Sequence, residues 1–561
     1  MAPSSSGDRD TWLASLANQF APGYDPLHLL WKVQDAAVKH ASADEIRQLW
    51  ASHFARSDAH SRLPVHLYVH IPFCQQICKY CCYYKVQLAG ESQVDRYLDW
   101  LTDALTFFAP TFAGQTLQTS YIGGGTPSVL SPPQLDRLLE VLFSRFAVAA
   151  GGERGFECDP GSVTPEKIDV LARRGINRIS MGVQSTSGAT LEAENRGYQT
   201  ADLVERAVEL IKARGIVLNL DLILGLKGES GQQFIDSFRH IASLRPSQIC
   251  VYPLAPTNRY FETVHAGTDR RDYLNGLRAR FGGVPPGVVN IARECGYWSN
   301  SEIAVDGQPW LFSRQVQPFT PYSDMSRDAS GVFGIGPTAR SRIPGSCIYT
   351  AHEGIPDNLD PQQLSYRVSP LRKDDDIIEY IYMRCRRGLE IDPEAITQSF
   401  GRAFPAGIAS DLEELERAKR VRKKGRTYLF SDDPRQRFLS AAQLLPDTDL
   451  RKRLVTDIVV GAPEPMTFRI SSVLADSGYL VSAGEIGLSY ITSGAQKPER
   501  THTEIIELAR DVFKNLAARD ESVELPEFSQ HFRERFDSSL DLVRQRGHLG
   551  ALPVEVVHPP S

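Results

Sequence analysis

Between residues 63 and 255 the chain alternates short apolar runs with amphipathic stretches, and this rhythm constrains the fold more than any other feature. The strand-like runs are His66–Ile71, Thr119–Gly123, Gly155–Asp159, Arg178–Gly182, Val217–Leu222 and Ile249–Leu254. Helix-like stretches fall between them, at Gln93–Phe108, Pro132–Phe146, Pro165–Arg173, Gly188–Glu194, Ala201–Arg214 and Gly231–Leu244. Strands separated by helices pair in parallel, because a parallel pair needs a long crossover. Right-handed crossovers curve such a sheet into a full or partial barrel, with ligands at the carboxyl ends of the strands. The expected class is α/β, a partial (β/α)6 TIM-like barrel.

The whole chain has 561 residues, room for about three domains. Residues 1–62 read as a helical lead-in, with Trp12, Leu13 and Leu16, then Leu29, Leu30 and Val33, at helical spacing. Residues 63–255 are the barrel core. Residues 256–345, rich in Gly, Pro and Arg, are expected to extend the barrel and shape a substrate site, with a glycine-bearing strand and loop at Ser330–Pro337. Residues 346–440 read as a smaller α+β domain, with helices at Asp374–Arg384, Pro393–Phe400 and Leu412–Val421 and a strand at Thr427–Phe430. Residues 441–561 form an additional segment, with helices expected at Thr503–Ala517 and Phe532–Arg546. The basic run Lys419–Arg426 reads as a solvated helix end and turn.

Charge narrows the partners. Lys and Arg number 62 against 68 Asp and Glu, a net charge of −6, which does not suit a nucleic-acid coat. No apolar run approaches the length of a membrane span, and the first residues lack the apolar core of a signal peptide. The expectation is a cytoplasmic protein with neither nucleic-acid nor membrane partners.

Nine cysteines in this length do not make a disulfide scaffold. Four of them, Cys74, Cys78, Cys81 and Cys82, crowd into the loop after the first strand, on the ligand face of the expected sheet. The spacing Cys-x3-Cys-x2-Cys can hold three corners of a four-iron cubane, leaving one iron open. It can also hold zinc, with His70 as a fourth ligand. The spacing alone leaves both open.

The second strand ends in Tyr121-Ile122-Gly123-Gly124-Gly125-Thr126-Pro127, where glycines let backbone approach a ligand. This run, together with Tyr68-Val69-His70-Ile71-Pro72-Phe73-Cys74, resembles the radical S-adenosylmethionine superfamily, in the branch of oxygen-independent coproporphyrinogen III oxidase. Further words of that branch follow in order. They are Glu157-Cys158-Asp159-Pro160, the stretch Gly175–Ser185, Asn195-Arg196 and the stretch Asn219–Leu226. The resemblance covers about residues 63–255 and thins towards 440. It makes the smaller C-terminal domain one of the coproporphyrinogen-oxidase type.

The resemblance implies that Cys74, Cys78 and Cys81 bind a [4Fe-4S] cluster whose open iron is chelated by S-adenosylmethionine (SAM). It implies that Tyr68, Gly124, Gly125, Thr126, Glu157, Gln184, Arg196 and Asp221 hold that molecule. Residue chemistry agrees with parts of this. Glu157 can accept from a hydroxyl or an ammonium, Arg196 can pair with a carboxylate, and Asp221 shares a strand face with Asn219. Ala255 matches a position lining a second SAM site in the family. The catalytic residues are not identified by any motif.

Two departures bear on function. Where the oxidases carry another cysteine two residues after the third ligand, this chain has Tyr83, and its additional thiol, Cys82, is next to Cys81. Nothing in residues 1–60 resembles the segment that guards the porphyrin site. The haem-chaperone relatives share a cluster motif without the extra cysteine but are much shorter. The reading is therefore a radical SAM methyltransferase, or cyclopropane-forming enzyme, adding a carbon from a second SAM to an sp2 carbon of a small-molecule or peptide-derived natural product. Two rival readings are a tetrapyrrole-acting radical enzyme (oxidase-like or haem-cleaving) and a non-catalytic haem chaperone. The resemblance implies flavodoxin or ferredoxin as electron donor.

Overall fold

The computed structural model describes residues 39–56, 63–254 and, discontinuously, parts of 260–444, including 284–299, 310–313, 330–351, 363–371, 374–386 and 390–430. The expectations for residues 1–38, Ala255, Thr503–Ala517 and Phe532–Arg546 lie outside the described residues.

A single large sheet organises the first compact unit, which spans residues 31–302 and 309–376. In chain order its strands are β1 (Lys39–Ser42), β2 (Val65–Ile71), β3 (Ser120–Gly124), β4 (Arg154–Cys158), β5 (Arg178–Gln184), β6 (Val217–Leu224) and β7 (Gln248–Pro253). There follow β8 (Trp298–Ser299), β9 (Trp310–Ser313), β10 (Gly331–Ile335), β11 (Arg340–Ile343), β12 (Cys347–Thr350) and β13 (Ser365–Pro370). Their spatial order is β1-β13-β12-β11-β10-β2-β3-β4-β5-β6-β7-β9-β8. Strands β2 to β7 are parallel neighbours in sequence order, which is the six-stranded core expected of the alternation. A seventh parallel strand, β10, adds beside β2 from the Gly-bearing stretch, and antiparallel strands extend both edges.

The crossover helices are α1 (Ala43–Ala55), before the core, then α2 (Glu91–Phe108), α3 (Pro132–Arg145), α4 (Pro165–Arg173), α5 (Gly188–Ala193), α6 (Ala201–Lys212) and α7 (Gly231–Ser243). Their starts follow from local chemistry. Ser131 and Ser230 each form a capping box with the glutamine three residues on, and Thr200 accepts from the Leu203 N–H. Each satisfies amides that a helix start leaves without an intrahelical partner.

Two differences from the sequence reading concern boundaries. Residues 39–42 are an edge strand paired antiparallel with β13, not helical lead-in, and among the described residues of that stretch α1 is the helix. Strands β12 and β13 belong to the large sheet, so the chain divides near residue 377 and not near 345. Past that divide, the described elements are most of α8 (Asp375–Arg386), α9 (Pro393–Phe400), α10 (Ala406–Arg417) and the hairpin β14 (Val421–Lys424) and β15 (Thr427–Phe430). The basic run is thus a hairpin strand and turn, with Gly425 at φ 62°, a left-handed value that glycine adopts without a Cβ penalty.

The parallel strands sort their side chains strictly by face. Leu67, Val69, Ile122, Phe156, Ile179 and Leu220 are fully buried on one face. Each contributes about 1.5–3 kcal/mol by leaving water. The opposite face carries Tyr68, His70, Tyr121, Glu157, Ser180, Asn219 and Asp221, and it builds the site.

Candidate active site

The cysteine loop is tied to the glycine strand by backbone. Gly125 N–H donates to Ile71 O at 2.8 Å and Thr126 N–H to Phe73 O at 2.8 Å. The approach is close enough that a Cβ on Gly125 would lie 2.7 Å from Pro72 carbonyl atoms. Gly124, at φ 119°, would place a Cβ 2.7 Å from the His70 ring. The glycines serve close approach. The N–H of Gly124 goes to Glu157 Oε2 at 3.1 Å and that of Gly125 to Ile71. Neither amide is therefore left to donate to a ligand, contrary to the expectation for a glycine run at a strand end.

Cys74 is buried, Cys78 and Cys81 are half-buried, and Cys82 is exposed. Thr126 Oγ1 donates to Cys74 Sγ at 3.3 Å and Arg196 Nη1 to Cys78 Sγ at 3.5 Å. Lys85 Nζ donates to the carbonyls of Cys81, at 2.6 Å, and Tyr83, at 2.9 Å. Burial pushes the Cys74 thiol up to about 11, against the lowering effect of Thr126, while Cys81 and Cys78 raise it further. The Cys81 thiol is also raised, mainly by burial. Loading therefore needs the charge of the metal itself to displace the protons.

His70 does not fit the zinc alternative. Its Nε2 meets the Tyr84 carbonyl at 3.1 Å and its Nδ1 the Tyr68 hydroxyl at 3.1 Å. A carbonyl only accepts, so Nε2 carries the hydrogen and Nδ1 accepts from Tyr68 O–H. Burial pushes His70 down to about 4, which keeps it neutral near pH 7. Among the described residues no three His, Cys, Asp or Glu side chains converge as a single-ion site does. A cubane spreads its thiolates over separate irons and needs no such convergence. The donor set, with N–H and O–H groups already aimed at two sulfurs, fits an iron–sulfur cluster.

The second wall of the site is built from side chains across β4, β5 and β6. Register places Glu157 beside Ser180, and Ser180 beside Asn219. Asn219 Nδ2 donates to Asp221 Oδ1 at 2.6 Å and to Ser180 Oγ at 2.7 Å, and Ser180 Oγ donates to Asp221 Oδ2 at 2.9 Å. Asn219 and Asp221, expected on one strand face, therefore form a hydrogen-bonded polar cluster, with Ser180 as a member the sequence reading missed. A lone serine on a strand gave no signal for it before the register of β5 with its neighbours was known. Burial raises Asp221, with its hydrogen bonds to Asn219 and Ser180 opposing. Burial pushes Glu157 up to about 7, opposed by the Gly124 amide and Tyr121, with Asp221 raising it further. A Cβ on Gly123 would lie 2.8 Å from the Glu157 carboxyl carbon, so this glycine makes room for the carboxylate.

Gln184 sits at a register shift between β5 and β6 with φ 68°, a strained value for a non-glycine residue. Arg196 is 6% exposed and points inward. Its Nη2 meets Asp159 Oδ2 at 2.6 Å and Gly182 O at 2.5 Å, and its Nε meets Gln199 Oε1 at 3.1 Å. Four of its five donors are engaged within the protein once Cys78 is included, so a bidentate clamp on a ligand carboxylate is not available to it. Tyr83 is 65% exposed at the cluster loop.

A parallel sheet with a three-cysteine loop after its first strand and a glycine run after the next defines a radical SAM protein. The model of the radical SAM superfamily matches residues 68–241. The oxygen-independent coproporphyrinogen III oxidase of Escherichia coli is 33% identical over 368 residues, covering 63% of this chain and 78% of that one. The chain belongs to the radical SAM superfamily, in the family of the oxygen-independent coproporphyrinogen III oxidases and their relatives. The heme chaperone HemW of Escherichia coli is 37% identical over 194 residues, 34% of this chain and half of the chaperone. Among solved structures, coproporphyrinogen III oxidase from Escherichia coli shares the fold, with a TM-score of 0.59 at 23% identity over 75% of this chain and 98% of that one. The family's cofactors are a [4Fe-4S] cluster and SAM. No described helix is long and apolar enough to cross a membrane.

Proposed function

We propose that this protein is a radical SAM enzyme acting on a tetrapyrrole by hydrogen abstraction. The observation that carries this reading is the 33% identity to the coproporphyrinogen III oxidase over 78% of its length. The chaperone match stops at half of that relative, which favours the enzyme. The methyl-transfer and cyclopropanation reading draws no support from these relatives. The second SAM site at Ala255 stays with that weaker alternative.

In this reading Cys74, Cys78 and Cys81 carry the cluster. Tyr68, Gly124, Gly125, Thr126, Glu157, Gln184 and Asp221 line the SAM site. When bound, the cluster and SAM together supply reductive sulfonium cleavage and an adenosyl radical. The chain's own part is to orient and to exclude water. Tyr68, fixed by His70, offers an acceptor to an ammonium. Glu157, balanced near neutrality, can accept from or donate to a hydroxyl. The electron donor in this reading is flavodoxin or ferredoxin, and the substrate is a small molecule.

The test is anaerobic reconstitution, then dithionite, SAM carrying a CD3 methyl group and coproporphyrinogen III, with mass spectrometry of the adenosine products and the tetrapyrrole. Unlabelled 5′-deoxyadenosine with an altered tetrapyrrole is the expected result. Deuterium in 5′-deoxyadenosine with S-adenosylhomocysteine would restore the methyl-transfer reading. Tight haem binding with no 5′-deoxyadenosine from an intact cluster would make the protein a chaperone.

A further inference from the structure

Arg196 is a buried cation aimed at a cluster sulfur, and the chain holds it there from both sides. Asn195, at φ 60°, donates through Nδ2 to Ile77 O at 3.0 Å, and Lys79 N–H donates to Glu194 O at 3.2 Å. Lys79 Nζ reaches Ala193 O at 2.7 Å. Residues 193–195 and 77–79 are thus laced together on either side of the Arg196–Cys78 contact. Asp159 pairs with the guanidinium at 2.6 Å and is itself oriented by the Tyr198 hydroxyl at 2.6 Å. The pair is almost out of water, at 7% and 13% side-chain exposure, so its charges are little screened.

We infer that Arg196, counterbalanced by Asp159, is a positioning residue that sets the cluster's reduction potential through its N–H···S bond to Cys78. Hydrogen bonds to the sulfurs and local net charge are levers on such potentials. A donor cation on Cys78 draws electron density from the thiolate and favours the reduced state, and the Asp159 carboxylate works against it. Thr126 does the same for Cys74 with a neutral donor. The equilibrium concerned takes one electron from an external reductant and breaks no bond. This role differs from clamping a ligand carboxylate, for which the guanidinium keeps one free donor at most.

The inference rests on Cys74, Cys78 and Cys81 carrying the cluster, which wild-type iron content and its reduced-state EPR signal check separately. The test is an EPR-monitored redox titration of the full chain, reconstituted anaerobically without SAM. Arg196→Gln is expected to shift the midpoint negative by at least a tenfold change in the reduction equilibrium, about 59 mV for a one-electron couple. Asp159→Asn is expected to shift it positive, and Thr126→Val negative by less than Arg196→Gln. Opposite signs at Arg196 and Asp159 are what a merely structural pair would not produce. Unmoved midpoints, or shifts of the same sign, would overturn the inference. If only one of the two variants loads iron, its sign decides. If neither loads, the pair is a structural clamp and the inference fails.

Discussion

The two walls of the site are made by different means. The wall at β2 and β3 is built from backbone: glycines at 123–125, carbonyls of residues 71–73, and a cysteine loop laced to them. The wall at β4, β5 and β6 is built from side chains that meet only because three strands pair in one register. The first tolerates almost no added atom. The second is governed by charge and proton count more than by steric fit. Close backbone approach is an all-or-nothing steric matter, whereas a hydrogen-bonded carboxylate cluster adjusts by moving protons.

That contrast orders the expected effects of substitution. Cys74→Ala is expected to abolish cluster loading, read as loss of bound iron and of the visible absorption band. Retention of a full complement of iron would remove Cys74 from the ligand set. Gly125→Ala is next, since its Cβ would meet backbone and not a mobile side chain. A loss of about 1–3 kcal/mol in the metal-free protein is expected, from overpacking. A denaturation curve matching wild type would break the claim that this wall is steric.

Glu157→Gln probes the other wall through pH. A carboxyl raised from 4.5 to about 7 binds its proton more tightly folded than unfolded. Its contribution to stability is therefore greatest below pH 4.5 and falls as pH rises from there to about 7. The full burial penalty is trimmed by the group's partial exposure, leaving a loss of about 2 kcal/mol across that window. The amide that replaces the carboxyl does not titrate, so the variant is expected to lose this slope in metal-free protein unfolded at a series of pH values. An identical slope in variant and wild type would rule Glu157 out as its source. Ser180→Ala is expected to have the smallest effect, about 1 kcal/mol, from the lost hydrogen bond to Asp221. A loss several times larger would mean that the polar cluster acts as one cooperative unit.

The legibility of each wall in the sequence follows from its construction. The run Gly123-Gly124-Gly125 and the cysteine spacing are contiguous, and their neighbours in space are their neighbours in sequence or on the next strand. The alternation of apolar runs located all six core strands to within two residues at either end, because faces covered by helices demand apolar residues at period two. Glu157, Asn219 and Asp221 could be singled out as polar residues in apolar strands, but Ser180 could not, since a lone serine on a strand carries no signal until its register neighbours are known. The partners that Arg196 has within the protein were hidden for the same reason. A cation in a motif suggests an anionic ligand, and only the fold shows Asp159 and Cys78 waiting for it.

The sequence by itself determined the parallel α/β core, the loop that bears the thiols and the close approach of the glycine strand, because periodicity and the missing Cβ are local properties of a chain. Tertiary structure alone decided that β10 flanks β2, that His70 is a neutral relay to Tyr68 and not a metal ligand, and that Arg196 faces a sulfur. Each of these depends on which donor meets which acceptor across tens of residues, and that pairing exists only once the strands are in register.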